Sequence, residues 1–423
     1  MFVSGHGRTA DSADVAYYRD MTTIIRDRTR AELLELVTRS GLRVLTAMLE
    51  EDRTAICGPR YAHEPERPAS RAGTVRGEVV LGGRKIAIER PRVRTAAGEV
   101  PLPTFQTMAQ CDPLDRRVVE QMLVGVATRQ YARSLEALPP EMASRGTSKS
   151  AVSRRFVAKT QAQLETWQAR PLEDLAIAVL LLDGVHVGEH CLIVALGVTE
   201  DGTKHALGLW DGSTENSTLC QSLLSNLQSR GLRTDRSLLV ILDGSKALHK
   251  AVRAMFGEAA LVQRCQIHKL RNVLDHLPER QRPWVKALLQ RAYRQDEVAT
   301  ATRLLQDLGR RLDGEYPSAA ESVREGLDET LTIIGLRLSP ALRRSLSTTN
   351  AVESLISRTR HVKRNVKRWR GGQMVLRWVA AGVLEAVKGF RRLKGHKEMP
   401  TLVAALRVRD QQLGLVKHVE KVA

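Results

Sequence analysis

Residues 175–184 read LAIAVLLLDG and residues 238–244 read LLVILDG. Each is an unbroken run of Val, Ile, Leu and Ala that passes directly into Asp-Gly. A strand with one wet face alternates apolar and polar residues, whereas a strand covered on both faces stays apolar throughout. The two runs therefore predict two buried strands of one sheet. Between them lie CLIVALGVT (191–199), EDGT (200–203) and KHALGLWDG (204–212), which predict an antiparallel hairpin on an Asp-Gly turn. A helix follows over roughly 215–230. After Asp243, SKALHKAVRAMFG (245–257) predicts another helix and ALVQRC (260–265) a short strand.

The predicted order is strand, hairpin, helix, strand, helix, strand, then helices only. That is an α/β arrangement, a mixed sheet flanked by helices, and its order matches a ribonuclease H-like core over 171–265. Residues 266–340 show helical spacing without any strand pattern, as in Ala301, Leu304, Leu305, Leu308 and Leu312. They are expected to form an all-helical insertion that interrupts the core. A core-closing helix is expected within 341–366, and a basic helical region over 367–423.

Towards the N-terminus, residues 1–20 look like a loose leader. Residues 21–112 predict a helix and then two strands in TVRGEVVLGGRKIAIERPRVR (74–94), joined at Gly82-Gly83. The arginines of that hairpin suit either a phosphate backbone or solvent. Residues 113–170 are helical but interrupted by LPPEMASRGTSKS (138–150), with Ser148 or Thr147 as N-cap of the second helix. That helix would turn Val152 and Phe156 inward and present Lys149, Arg154 and Arg155. The pattern suits a helix-turn-helix reader of double-stranded DNA, although short helical pairs of this kind are mostly structural.

The chain has 66 Arg and Lys against 47 Asp and Glu, a formal charge of +19. Residues 341–400 alone hold 15 basic residues and 3 glutamates, so most of the excess sits in one seventh of the chain. So local an asymmetry reads as a phosphate-binding surface. Five scattered cysteines without CxxC spacing argue against a disulfide framework. The longest apolar run, 175–182, is too short to span a bilayer, and the N-terminus lacks an apolar signal region. A soluble protein of a reducing compartment is expected.

Within STTNAVESLISRTRHVKRNVKRWR (347–370), Glu353 is the single acid among many bases. One reading is a capping box with Asn350. Another follows from Asp183 and Asp243, each of which stands after a buried strand. Such Asp-Gly pairs also read as turns. On neighbouring strands, however, the two carboxylates would lie about 4.8 Å apart. They would repel unless one is protonated or a cation lies between them. A divalent cation, Mg²⁺ or Mn²⁺, suits hard oxygen ligands, and a third carboxylate would complete a two-ion site. Glu353 is the candidate for it, on a helix whose stripe Val352, Leu355, Ile356, Thr359, Val362 and Val366 faces the core. It shares an edge with Ser357, Arg360 and Arg364.

Five stretches carry a resemblance. They are LLLDGVHVG (180–188), ALGVTEDGTKHALGLWDGSTEN (195–216), LLVILDGSKALHKAV (238–252), VQRCQIHKLRN (262–272) and STTNAVESLISRTRHVKR (347–364). In these the chain resembles the bacterial insertion-sequence transposases of the Mutator group, within the DDE superfamily, over roughly residues 25–395. The resemblance implies that Asp183, Asp243 and Glu353 are the catalytic and metal-holding triad, with two Mg²⁺ or Mn²⁺ ions. It implies that Cys265 and His268 form the group's Cys-x-x-His signature, as active-site support rather than half of a zinc site. DNA contacts are expected at Arg271 and Asn272 and, in the basic run, at Arg360, Lys363, Arg364, Lys367 and Arg368. The implied partners are terminal inverted repeats and target DNA, bound by a homodimer or larger assembly on a bacterial nucleoid, with no membrane. A nuclease or resolvase that cuts without joining, and a DNA-binding descendant that no longer cuts, are the other readings. HVGEH (186–190) reads as a hairpin edge with two exposed histidines, or as a metal pair. In one place the chain departs from the group: Leu219-Cys220 stands where a Trp is frequent. Trp210 and Trp284 remain as aromatics for either base stacking or packing.

Overall fold

The computed structural model describes residues 12–62, 67–110, 116–135, 144–212, 217–363, 366 and 368–415. The chain divides into two compact units, residues 1–156 and 157–423.

In the first unit, helix α1 (Ser12–Cys57) begins inside the stretch expected to be a loose leader. Strands β1 (Ala69–Leu81) and β2 (Arg84–Thr95) form the expected hairpin. Its turn needs glycine: Gly83 has a φ of 81°, and a Cβ there would stand 2.5 Å from the hydroxyl of buried Tyr131. Strands β3 (Gly98–Val100) and β4 (Ser144–Gly146) both add to β2. Leu45 and Leu49 of α1 pack with Val79, Val93 and Leu102 into a small core.

Helices α2 (Pro103–Gln110), α3 (Arg116–Leu123) and α4 (Lys149–Ala169) complete that unit, with α4 running on past its boundary. The start of α4 is as expected. Ser148 Oγ accepts a hydrogen bond from Ala151 N at 3.2 Å, Val152 and Phe156 are buried, and Lys149 and Arg154 are exposed. Of the interruption expected at 138–150, residues 138–143 lie outside the described residues. The described residues between α3 and α4 include a 3₁₀ turn (Tyr131–Ser134) and strand β4. Strand β4 finds its partner in β2, through pairs such as Lys85↔Arg145.

The second unit is built on strands β5 (Ile177–Val187), β6 (His190–Thr199), β7 (Lys204–Gly212), β8 (Leu238–Leu242) and β9 (Ala260–Arg264), in the order β7-β6-β5-β8-β9. The β5–β8 and β8–β9 pairs are parallel, and β6 is antiparallel to both its neighbours. Helices α5 (Ser217–Ser229) and α6 (Lys246–Phe256) cover one face with Leu223, Leu224, Leu248 and Val252, against Leu180, Leu182, Val240 and Leu242. The sheet is thus mixed and flanked by helices, as its unbroken apolar runs require.

One strand differs from expectation. The β5–β8 ladder stops at Leu182↔Leu242, but β5 runs on against β6 from Asp183↔Val194 to Val187↔His190. Asp183 therefore ends a strand pairing on one side only, because β8 turns off into α6 while β6 continues.

From α7 (Gln266–Asp275) the unit is helical. Helices α8 (Arg282–Tyr293), α9 (Val298–Leu312), α10 (Pro317–Arg324), α11 (Leu327–Gly335) and α12 (Pro340–Leu346) lead to α13 (Asn350–Lys363), α14 (Gly372–Val387) and α15 (Met399–Gln412). On α9, Ala301, Leu305, Leu308 and Leu312 are buried, as their spacing predicts. Among the described residues no helix is long and apolar enough to cross a membrane.

A buried guanidinium ties the unit together. Arg230, 9% exposed, donates from Nε to Arg170 O and from Nη1 to Leu207 O, each at 2.8 Å. It also reaches Asn226 Oδ1 and Trp167 O at 3.2 Å. Four acceptors from α4, its exit, α5 and β7 thus share one side chain.

Candidate active site

Asp183 and Asp243 each stand one residue past the last pair of the β5–β8 ladder. Side chains alternate between the faces of a strand. Val179, Leu181, Leu239 and Ile241 turn away from α5 and α6, into the core shared with Val352 and Leu355 of α13. The same alternation directs both aspartates to the α13 face. Glu353 lies one position from Val352 on that helix, with its side chain 36% exposed.

The capping-box reading of Glu353 does not hold. Thr349, not Asn350, supplies the carbonyl that opens α13, accepting from Glu353 N at 3.1 Å. The Glu353 carboxylate instead approaches His268 Nε2 at 3.5 Å and Arg271 Nη1 at 3.6 Å. Its Oε1 is buried and has no hydrogen bond among the described residues.

Charge accumulates here. Asp183 is only 3% exposed, and burial pushes its carboxyl up to about 7, with Asp243 and Glu353 adding to the rise. His268 and a hydrogen bond from Thr349 oppose that rise without cancelling it. His268 is in turn raised to about 9, first by its hydrogen bond with Cys265 and further by Asp183 and Asp243, while burial opposes. Burial would raise the Cys265 thiol, but hydrogen bonds with His268 and Thr349 hold it below its ordinary value. Cys265 is fully buried, takes Thr349 N at 3.4 Å, and precedes α7. The pair is thus packed between sheet and α13, with His268 an imidazolium beside carboxylates.

The donors suit a hard divalent cation, and Glu353 Oε1, buried and without a hydrogen bond among the described residues, fits such a role. Even so, among the described residues no group of three or more His, Cys, Asp and Glu is arranged to hold a metal ion. Glu353 is drawn towards His268 and Arg271 instead.

The other expected positions fall as follows. Arg271 and Asn272 are exposed on α7, and Arg368 is exposed. Arg360 and Lys363 belong to α13, but their side chains lie outside the described residues, as do Arg364 and Lys367 entirely. HVGEH forms the β5–β6 turn, with His186 exposed and His190 Nδ1 at 3.2 Å from Asp211. Trp284 packs on the helical core with Arg311 over its ring at 5.1 Å, and Trp210 lies against the α5–α6 core.

Two residues beside the site were missed in the sequence. Thr349 joins three of its groups, bonding Asp183 and lying 3.4 Å from His268 Nδ1 and 3.6 Å from Cys265 Sγ. Lys269, 4% exposed, donates from Nζ to Glu325 O at 2.6 Å and so holds α7 to the end of α10. Nearby, Arg264 and His249 both bind Glu329, at 2.8 and 2.6 Å. The STTN stretch offered four polar residues with no signal for which one caps, and a single Lys in a helix reads as solvated.

Burial lowers Lys269 to about 8, against partial relief from Glu325. A lysine depressed in the folded state has lost its proton there while the unfolded chain still holds one, between about 8 and its unfolded value near 10.5. Stability therefore gains from this group as pH rises through that window. Thermal melts of Lys269→Met should show the gap between variant and wild type shifting in favour of wild type from pH 7 to 10. A gap independent of pH would contradict the buried charge.

A basic chain that gathers three carboxylates and an imidazolium on one face of a mixed sheet is built to act on a polyanion. Residues 16–392 match the family model described as "Transposase, Mutator family", and the chain belongs to that family. It is 26% identical over 337 residues to the transposase for insertion sequence element ISRM3 of Rhizobium meliloti, covering 77% of this chain and 81% of that one. It is also 26% identical over 379 residues to the transposase for ISRM5 of the same organism, covering 88% and 91%. The transposase for IS256 in transposon Tn4001 of Staphylococcus aureus is 24% identical over 342 residues, covering 77% and 83%.

Proposed function

We propose that this transposase cuts and joins DNA at Asp183, Asp243 and Glu353 in a DDE reaction. The observation that carries the reading is the convergence of the three acids on one sheet face, with Glu353 Oε1 buried and free of any hydrogen bond among the described residues. The strand order β7-β6-β5-β8-β9, with only β6 antiparallel to its neighbours, supports a ribonuclease H-like core. The helices from α7 to α12 then form its insertion.

In the first step water attacks the phosphorus at the element's end. The P–O3′ bond breaks and a 3′-OH is freed. In the second, that oxygen attacks a phosphorus of target DNA, whose own P–O3′ bond breaks. The three carboxylates would hold two Mg²⁺ or Mn²⁺ ions. The chemistry these supply is Lewis-acid activation of the phosphate and of the attacking oxygen. His268, with Nε2 3.5 Å from Glu353 Oε1, would serve as a counter-charge that steadies Glu353. Arg271, exposed beside Glu353, offers a guanidinium to a neighbouring phosphate. Lys149, Arg154 and Arg155 at the start of α4 would engage the terminal inverted repeat, and Asn272 and the basic run near α13 its backbone. Two ends must be held together, which calls for a dimer or larger assembly.

The test is cleavage of a labelled duplex carrying the element's terminal repeat, with Mg²⁺ or Mn²⁺ added. Glu353→Gln should bind that duplex and leave it uncut, while wild type nicks at the repeat boundary. Equal cutting by both proteins would remove Glu353 from the chemistry. Nicking by wild type without joining would favour a nuclease or resolvase, and no cutting by wild type a DNA-binding descendant.

A further inference from the structure

A cavity of about 490 Å³ opens beside the acids, between the start of α7, the end of α8, α12 and the start of α13. It shares a wall with them at successive residues. Thr348 lines the cavity, while the Thr349 hydroxyl lies 3.4 Å from His268 and bonds Asp183. Its chemistry differs from that of the carboxylate site, for no acid lines it.

Two amides, Gln290 and Asn350, offer paired donors and acceptors in the cavity, while Gln266, which also lines it, already donates from Nε2 to Thr330 O at 2.9 Å. Leu270 and Tyr293 give it an apolar wall. Arg294 and Arg344 are exposed at its edge and make no ion pair among the described residues. Arg343 is different, held by Asp296 Oδ1 at 2.9 Å and Gln295 O at 3.0 Å. Flat apolar surface, amide edges and uncommitted guanidiniums together describe what a nucleotide needs: a place for the base, partners for its edge, and cations for its phosphate. The volume admits one nucleotide and no base pair of a duplex.

We propose that this cavity receives a single unpaired nucleotide of the DNA strand next to the bond being cut. The base rests against Leu270 and Tyr293 with the amides along its edge, and the phosphate meets Arg294 and Arg344. The proposal rests on the DNA-cleavage reading above and names a subsite for it. Drawing one nucleotide out of the stack is least costly where pairing is already broken. The cavity would therefore favour ends that are frayed or nicked.

The test compares two duplexes of the terminal repeat, one fully paired and one with a single unpaired 2-aminopurine at the cleavage boundary. Wild type should bind the second about tenfold more tightly, in keeping with the worth of one stacked base, and the probe's fluorescence should change on binding. In the double variant Arg294→Ala/Arg344→Ala that preference ratio should fall towards one. Gln290→Leu, which keeps the cavity filled but removes an amide, should lower it too and serves if the double variant fails to fold. Equal affinity of wild type for both duplexes, or full preference in a folded variant, would overturn the proposal. Cutting of the repeat by the same wild-type preparation separates the two ideas. Cutting without the preference sinks the cavity alone, whereas the preference without cutting sinks the cleavage reading and leaves a nucleotide site.

Discussion

Asp183→Asn should lower strand cleavage by about 10³-fold or more, the scale of losing one charge-stabilising group at a reacting phosphate, and yet make the protein more stable. The two effects share a cause. In the bare protein, burial and the neighbouring acids raise this carboxyl to about 7. Its unfolded value is near 3.9, so between those two values the folded chain holds a proton that the unfolded chain has lost. Stability falls as pH rises through that window, and the full penalty is present above about 7. Asn has nearly the same shape and no charge to bury. Denaturant unfolding at pH 8 without added metal should show a gain of about 1–3 kcal/mol, after allowance for a buried amide. At pH 4 the gain should vanish. A variant that loses cleavage and stability together would mean that Asp183 is a structural hub and not a strained functional group.

Arg230→Ala is expected to destabilise the second unit by about 3–5 kcal/mol, because it strands several buried acceptors at once. Arg170 O and Leu207 O accept from this guanidinium, and Trp167 O accepts from it and from Arg170 N. Burial lowers the group only to about 10, so it carries its charge at neutral pH and its donors remain in place. In a unit of this size the melting temperature should drop by roughly 10 °C. Arg230→Lys should recover only part of the loss, since one ammonium cannot span acceptors that a planar fork reaches together. Full rescue by Lys would show that charge matters at this position and geometry does not.

The buried strands were legible in the sequence because coverage on both faces removes every polar residue, and runs this short and rich in Val, Ile and Leu suit strands. The neighbouring aspartates followed from those runs, while the burial of Val352 and Leu355 on α13 followed from helical spacing. The passage of β5 beyond Asp183 was not legible, since GVHV after an Asp-Gly looks like a turn and the pairing that extends it comes from β6 alone. Helix α13 opens at Thr349 rather than Asn350, a difference of one residue within four polar candidates. Strand β4, within the interruption before α4, was not legible either, for its partner β2 lies far back in the chain. Arg230 and Lys269 read as ordinary surface bases, for only tertiary packing shows that they are enclosed.

The acids that meet on one face are far apart along the chain, with Asp243 placed 60 residues after Asp183 and Glu353 a further 110 on. Contacts of such long range form late and slowly. A ribosome adding about 5–20 residues per second needs roughly 5–20 s to travel from the second acid to the third. Through that interval the emerging polypeptide holds two carboxylates of the set and lacks α13. Any chemistry that requires all three must wait until the sheet and its helical cover have been synthesised. If the proposed triad does the cutting, incomplete products of translation that end before residue 353 would be disarmed by the spacing itself.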